Sequence, residues 1–260
     1  MGRKKNLKEL DESDLELIES KMRPNKVSMT EGEKKSLDFK VDVKCKNQKQ
    51  KDFLKILKDG KNEICFGIGS AGSGKSYISL AYALQCIGDQ TFKRIICMVP
   101  TCEAGAMSLG YLKGGLDDKV EPYIEADTYT MRKILSNSGN YSEKTIVERL
   151  IHYNTISYEF VNFARGKTFD DAIILVNEAE NYSKEEMLLI LTRVGENSKI
   201  IITGDLKQTD RKDIKRGMTD CGLSYAVDRL KELDEVSVVE FTEKDIVRNP
   251  LITKILTNWE

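Results

Sequence analysis

Gly69-Ser70-Ala71-Gly72-Ser73-Gly74-Lys75-Ser76 fills every fixed position of the pattern G-x-x-x-x-G-K-[ST]. The pattern demands a particular fold around it. Its glycines let successive backbone N–H groups turn inward around a phosphate, and the following helix aims its positive end at the same anion. The flanks suit that geometry. Ile64 to Ile68 is a short apolar run, and Tyr77 to Ile87 is apolar on nearly all sides before Gly88, which predicts a buried strand, a loop and a buried helix. Gly69, Ser70, Ala71, Gly72, Ser73, Gly74, Lys75, Ser76 and Tyr77 are therefore the candidate nucleotide contacts, with Lys75 reaching the β- and γ-phosphates and the Ser76 hydroxyl a ligand of Mg²⁺. A Gly-rich turn that binds nothing is the plain alternative, and the strand and helix on either side weigh against it.

Further apolar runs repeat the strand signal: Arg94 to Val99, Thr155 to Phe160, Ala172 to Val176, Lys199 to Thr203 and Glu235 to Phe241. Near-continuous apolar strands separated by helical stretches predict an α/β domain with a mostly parallel central sheet and helices on both faces. Phe53, Leu54 and Leu57 place a helix ahead of the first strand. Ser183 with Glu186 reads as a capping box, followed by an apolar face of Met187, Leu188, Ile190, Leu191 and Val194 and a stop at Gly195. The 260 residues suffice for one such domain, expected from 47 to 260. Residues 1–46 read as a polar arm with little core, carrying at most a short amphipathic helix through Leu7, Leu10, Leu15 and Ile18. Thr101 to Ser142 is longer than an ordinary connection and has three glycines within Leu109 to Leu116, as an inserted functional segment would.

A P-loop enzyme also needs an acidic strand end, because phosphoryl transfer depends on positioning and charge neutralisation. Ala172 to Val176 leads into Asn177-Glu178-Ala179-Glu180. Glu178 is the candidate catalytic base. Asn177 occupies the position where a metal-holding Asp is expected; it keeps an acceptor oxygen but no charge, so a higher Mg²⁺ requirement and slower turnover are expected. Other chemistries have little material. His152 is the only histidine, which leaves nothing for a histidine metal cluster or a serine–histidine triad. The six cysteines form no C-x-x-C pair, and a formal net charge of −1 gives no global footprint for nucleic acid. No run is long and apolar enough to cross a membrane and no secretory signal is legible, so a cytoplasmic protein without a membrane partner is expected.

Taken together, the motifs resemble the PhoH-like family of P-loop ATPases, itself similar to the first RecA-like domain of superfamily 1 helicases. The landmarks are Asn47-Gln48, GIGSAGSGKS, EAGAMSLGYLKGGLDDKVEPY from Glu103, ARGKTFDDAIILVNEAEN, LTRVGENSKIIITGDLKQTD and DIVRNPLI from Asp245. The resemblance implies a single RecA-like domain that binds and hydrolyses ATP with Mg²⁺ held by Ser76 and Asn177. It implies Gln48 reading adenine, Glu178 orienting water, Asp205 and Gln208 sensing the γ-phosphate, and Arg248 acting as an arginine finger or sensor. It further implies action on or with single-stranded RNA or DNA and a homo-oligomer, a hexameric ring among the arrangements. The basic turn Arg165-Gly166-Lys167-Thr168 is a candidate contact for nucleic acid or phosphate. Two positions depart from the family pattern: Asn177 in place of Asp, and Val99 in place of an Arg before Pro100.

Two other functions compete. One is a nucleotide-binding regulator with weakened catalysis, for which Asn177 is the motive. The other is a small-molecule kinase, which would have no use for Gly204-Asp205-x-x-Gln208 after a core strand.

Overall fold

The computed structural model describes residues 38–100, 117–139, 142–209, 214, 217 and 220–247, with the side chains of 117–122 excepted. Among the described residues, a sheet of six strands runs through the domain. The strands are β1 (Ile64–Gly69), β2 (Arg94–Val99), β3 (Ile156–Phe160), β4 (Ala172–Val176), β5 (Lys199–Gly204) and β6 (Val236–Phe241). All five neighbouring pairs are parallel, in the order β3-β2-β4-β5-β1-β6. Among the described residues, six helices surround it: α1 (Gln48–Lys58), α2 (Lys75–Gly88), α3 (Asp117–Asn137), α4 (Glu143–His152), α5 (Lys184–Leu191) and α6 (Gly222–Leu230). This is the α/β domain that the apolar runs predicted, of the RecA-like type that the resemblance implied, and the strand limits fall within a residue of those runs.

Alternation along each strand divides the core in two. Cys65, Ile95, Cys97, Ile173, Leu175 and Ile201 face one layer, built with α1, α2, α3 and α4. Phe66, Ile96, Met98, Ile174, Val176, Ile200 and Ile202 face the other, built with α5 and α6. A strand buried on both faces must be apolar throughout, which is why these runs lack polar punctuation. β1 is pressed closely by α1: a Cβ at Gly67 would lie 2.7 Å from the Phe53 ring. The chain ahead of Asn47 joins this layer too, since Phe39 and Val41 are buried within it. The Leu7 to Ile18 helix expected further upstream lies outside the described residues.

Connectivity fixes where a ligand fits. From β1 the chain passes through α2 to β2, across β5 and β4; from β5 it passes through α6 to β6, on the other side of β1. The two departures run in opposite directions from adjacent strands, and a crevice opens at their carboxyl ends.

Local signals behaved as their chemistry requires, with one exception. Asn47 caps α1 by accepting from Gln50 N at 2.8 Å, and Ser183 and Glu186 close the capping box of α5, each worth about 1 kcal/mol. The exception is the end of α5. The expected apolar face reached Val194, but the helix stops at Leu191 and Leu188 is 60% exposed. Arg193 donates to the Leu189 and Lys167 carbonyls, and Val194 leaves to form a parallel bridge with Phe169. Of the long segment between Thr101 and Ser142, α3 takes up the second half; its glycine-rich first half lies outside the described residues.

Candidate functional site

The loop between β1 and α2 is shaped by three glycines with positive φ: Gly69 at 117°, Gly72 at 82° and Gly74 at 88°. At Gly69 a side chain is excluded outright, because its Cβ would lie 1.9 Å from the Phe241 carbonyl oxygen. Lys75 begins α2 and folds back over the loop, its ammonium donating to the carbonyls of Gly69 at 2.5 Å and Ser70 at 2.9 Å. Those contacts set a cation at the centre of a cradle that the same sequence predicts for phosphate. Neighbouring elements brace the loop. Gln50 of α1 is buried and donates from Nε2 to the Ser73 carbonyl at 2.8 Å, while its Oε1 accepts from Lys46 N at 2.7 Å. Val247 N donates to the Gly72 carbonyl at 3.1 Å.

Opposite the loop stand the ends of β4 and β5. Thr203 donates to Asn177 Oδ1 at 2.9 Å and stands 3.3 Å from Ser76 Oγ. Because the Thr203 proton is committed to Asn177, Ser76 is the donor of the second bond, and the Ser76 lone pairs remain for a cation. Ser76 and Asn177 thus both bond the Thr203 hydroxyl, and their oxygens are of the hard-donor kind that suits Mg²⁺. Glu178 is exposed and held at φ 50°, ψ 48°, a left-handed conformation that a glutamate adopts only against a cost of roughly 1–3 kcal/mol. Backbone strain of this kind aims a side chain, and here it aims Glu178 into the crevice.

Asp205 is buried; its carboxylate accepts from Lys207 N at 3.0 Å, and its own N–H donates to Glu180 Oε2 at 3.0 Å. Glu180 in turn is buried, and burial pushes its carboxyl up to about 7, with the charges of Glu178 and Asp205 adding to the rise against two backbone hydrogen bonds that lower it. Gly204 leaves room for it, since a Cβ there would come within 2.5 Å of Glu180 Oε2. These groups line a single cleft of about 1150 Å³ that also takes in Tyr77, Gln208 and the α3 residues Asp127, Tyr129 and Lys133.

Most of the residues that line this cleft carry a sequence motif, and some do not. Lys75, Ser76, Tyr77, Asn177, Glu178, Asp205 and Gln208 all line the cleft, with Ala71, Gly72 and Gly74 from the loop. Gln48 does not join them. It is exposed on the outer face of α1, where it donates to Asp52 Oδ1 at 2.8 Å; the glutamine at the loop is Gln50. Two residues further along a helix turn the side chain by more than half a revolution, and the Asn47 cap decides which one faces in. Arg248 lies outside the described residues, directly after Val247. Lys167 in the basic turn is ion-paired with Glu159, so its charge is partly answered within the fold. Thr203 and Asp127 carried no motif that would have singled them out.

A parallel sheet, a glycine-shaped phosphate loop at its switch point and an acidic strand end opposite define a P-loop nucleotide-binding protein. The family described as PhoH-like protein matches residues 42–260. The chain belongs to the PhoH-like family. It is 34% identical to a PhoH-like protein of Bacillus subtilis (strain 168) over 218 residues, covering 84% of this chain and 64% of that protein. A PhoH-like protein of Mycobacterium tuberculosis (strain ATCC 25618 / H37Rv) is 33% identical over 214 residues, 82% of this chain and 57% of the relative. Protein PhoH of Escherichia coli (strain K12) is 31% identical over 217 residues, again 82% and 57%. The chain thus spans less than two thirds of the length of these relatives. Among the described residues, no helix is long and apolar enough to cross a membrane.

Proposed function

We propose that this chain is a Mg²⁺-dependent ATPase that acts on or with single-stranded RNA or DNA, as a homo-oligomer. The observation that carries the catalytic part is Glu178, held in a strained left-handed conformation at the rim of the crevice, opposite the phosphate loop. In this reading the loop N–H groups and Lys75 hold the β- and γ-phosphates. Lys75 exchanges its carbonyl partners for phosphate oxygens, which a positive charge prefers. Ser76 and Asn177 would hold Mg²⁺, which supplies positive charge against the phosphate oxygens. Glu178 orients a water and accepts its proton, while Asp205 and Gln208, on the loop after β5, register the γ-phosphate. Gln50 fixes the loop backbone from behind. Arg248 serves as an arginine finger, in a neighbouring subunit or in its own.

The competing reading is a nucleotide-binding regulator with weak turnover, and the neutral Asn177 favours it. One experiment separates them: ATP hydrolysis measured with and without single-stranded RNA and DNA for the wild type, Lys75→Ala and Glu178→Gln, with nucleotide affinity measured in parallel. An ATPase loses turnover in both variants and keeps affinity in Glu178→Gln. A wild type that binds ATP without turning it over, whatever polynucleotide is present, supports the regulator instead.

A further inference from the structure

Asn177 takes one negative charge away from a site designed around a divalent cation, and the crevice contains a carboxylate to which no motif assigns a role. Asp127 sits on α3, the helix that packs beside α2, and lines the same cleft as Ser76, Asn177, Glu178 and Thr203. Its surroundings are unusual for a surface helix. The buried Cys97 thiol of β2 and the buried Tyr158 hydroxyl of β3 both lie close enough to steady its charge. Among the described residues no Lys or Arg forms an ion pair with it. Glu178 is near enough for the two carboxylates to repel.

A half-buried aspartate facing another carboxylate and lacking a cationic partner costs free energy in the isolated chain. Burial pushes its carboxyl up to about 6, the Glu178 charge adds to the rise, and the contacts with Cys97 and Tyr158 oppose it. The missing charge at position 177 and the uncompensated charge at position 127 face one cleft, and each is an anomaly alone.

We propose that Asp127 supplies, from α3, the negative charge toward Mg²⁺ that Asn177 lacks. It acts as a positioning residue through space or through a metal-bound water, with Asn177 keeping the acceptor oxygen and Asp127 the charge. The proposal rests on the reading of the cleft as a nucleotide–metal site. It reverses one expectation drawn from Asn177 alone: the metal requirement need not be high, because the charge has moved to another element.

The test is a binding measurement and does not depend on turnover. Mn²⁺ serves as the metal probe, followed by electron paramagnetic resonance, in the presence of a non-hydrolysable ATP analogue whose affinity is also measured without metal. Asp127→Asn should raise the Mn²⁺ needed for half-saturation about fivefold or more, while leaving metal-free affinity for the analogue unchanged or tighter. Adding Asn177→Asp to that variant should restore the wild-type requirement. A purely structural Asp127 would weaken both affinities together and would not be rescued from position 177. Either an unchanged Mn²⁺ requirement in Asp127→Asn or a failed rescue overturns the proposal. Should Asp127→Asn not fold, Asn177→Asp alone decides it. A shift of less than twofold in the Mn²⁺ requirement fits a site already supplied with charge, and a fall of fivefold or more means the charge was missing. If the wild type binds no nucleotide, the reading of the cleft itself fails, and that result is visible before any variant is made.

Discussion

Thr203 donates its hydroxyl proton to Asn177 Oδ1 at 2.9 Å, joining the end of β5 to the end of β4. Ser76, 3.3 Å from Thr203 Oγ1, completes a chain of three polar side chains from three separate elements. Each member fixes the next: the amide oxygen accepts from Thr203, Thr203 accepts from Ser76, and the Ser76 lone pairs remain to accept. Thr203→Val keeps the shape of a fully buried side chain and breaks both bonds, leaving Asn177 Oδ1 without its donor at a cost of about 1–3 kcal/mol. Protein stability should fall by that amount in chemical denaturation, and half-saturating Mg²⁺ for nucleotide binding should rise several-fold. A Thr203→Val protein with the wild-type Mg²⁺ requirement would mean that Ser76 is oriented by something else.

Gln50 and Gln48 make a matched pair of controls. Gln50→Ala removes the buried bond to the Ser73 carbonyl and should lower stability by about 1–3 kcal/mol, with a several-fold loss of ATP affinity because the loop is less firmly pre-shaped. Gln48→Ala touches an exposed contact with Asp52 and should change stability by no more than about 0.5 kcal/mol. Denaturation curves and nucleotide titrations on both variants check the assignment. Equal effects would show that the inner face of α1 does not brace the loop.

The pH dependence of stability should carry a mark of Glu180. Burial raises its folded carboxyl to about 7, well above its unfolded value near 4.3. In that interval the folded state binds the additional proton, so stability falls as pH rises from about 4.3 to about 7, by at most roughly 3–4 kcal/mol. Glu180→Gln keeps an acceptor for the Asp205 N–H and has no proton to lose, so this part of the slope should vanish. Urea denaturation of both proteins at pH 5, 6 and 7 measures it. Parallel profiles would place the native proton elsewhere.

Arg248 decides between action within a subunit and action across an interface. If it serves a neighbour, mixing Lys75→Ala subunits with Arg248→Ala subunits should regain a measurable fraction of ATPase activity, because some interfaces then pair an intact loop with an intact arginine. An arginine finger contributes about 10³-fold or more, so even a minority of such interfaces would stand out. Mixtures no more active than either parent would confine Arg248 to its own nucleotide.

The sequence by itself determined what depends on neighbours along the chain. The phosphate loop, the apolar strands, the caps at Asn47 and Ser183 and the acidic end of β4 all arise from residues within a few positions of one another, where periodicity, glycine freedom and side-chain-to-backbone bonds act. Tertiary structure decided whatever required distant segments to meet. Thr203 is 26 residues from Asn177 and 127 from Ser76, and no local pattern records that their side chains share protons. The choice of Gln50 over Gln48 depended on which face of α1 lies against a loop 23 residues away. The early end of α5 followed from Val194 finding Phe169 across the fold. Asp127 is the clearest case. In sequence it is one acidic residue of a mixed helix, and only the packing of α3 beside α2 brings its charge into a cleft where Asn177 has none. Charges act through space and not along the chain, so a carboxylate lost from one strand end and supplied by a distant helix leaves no mark in the local sequence.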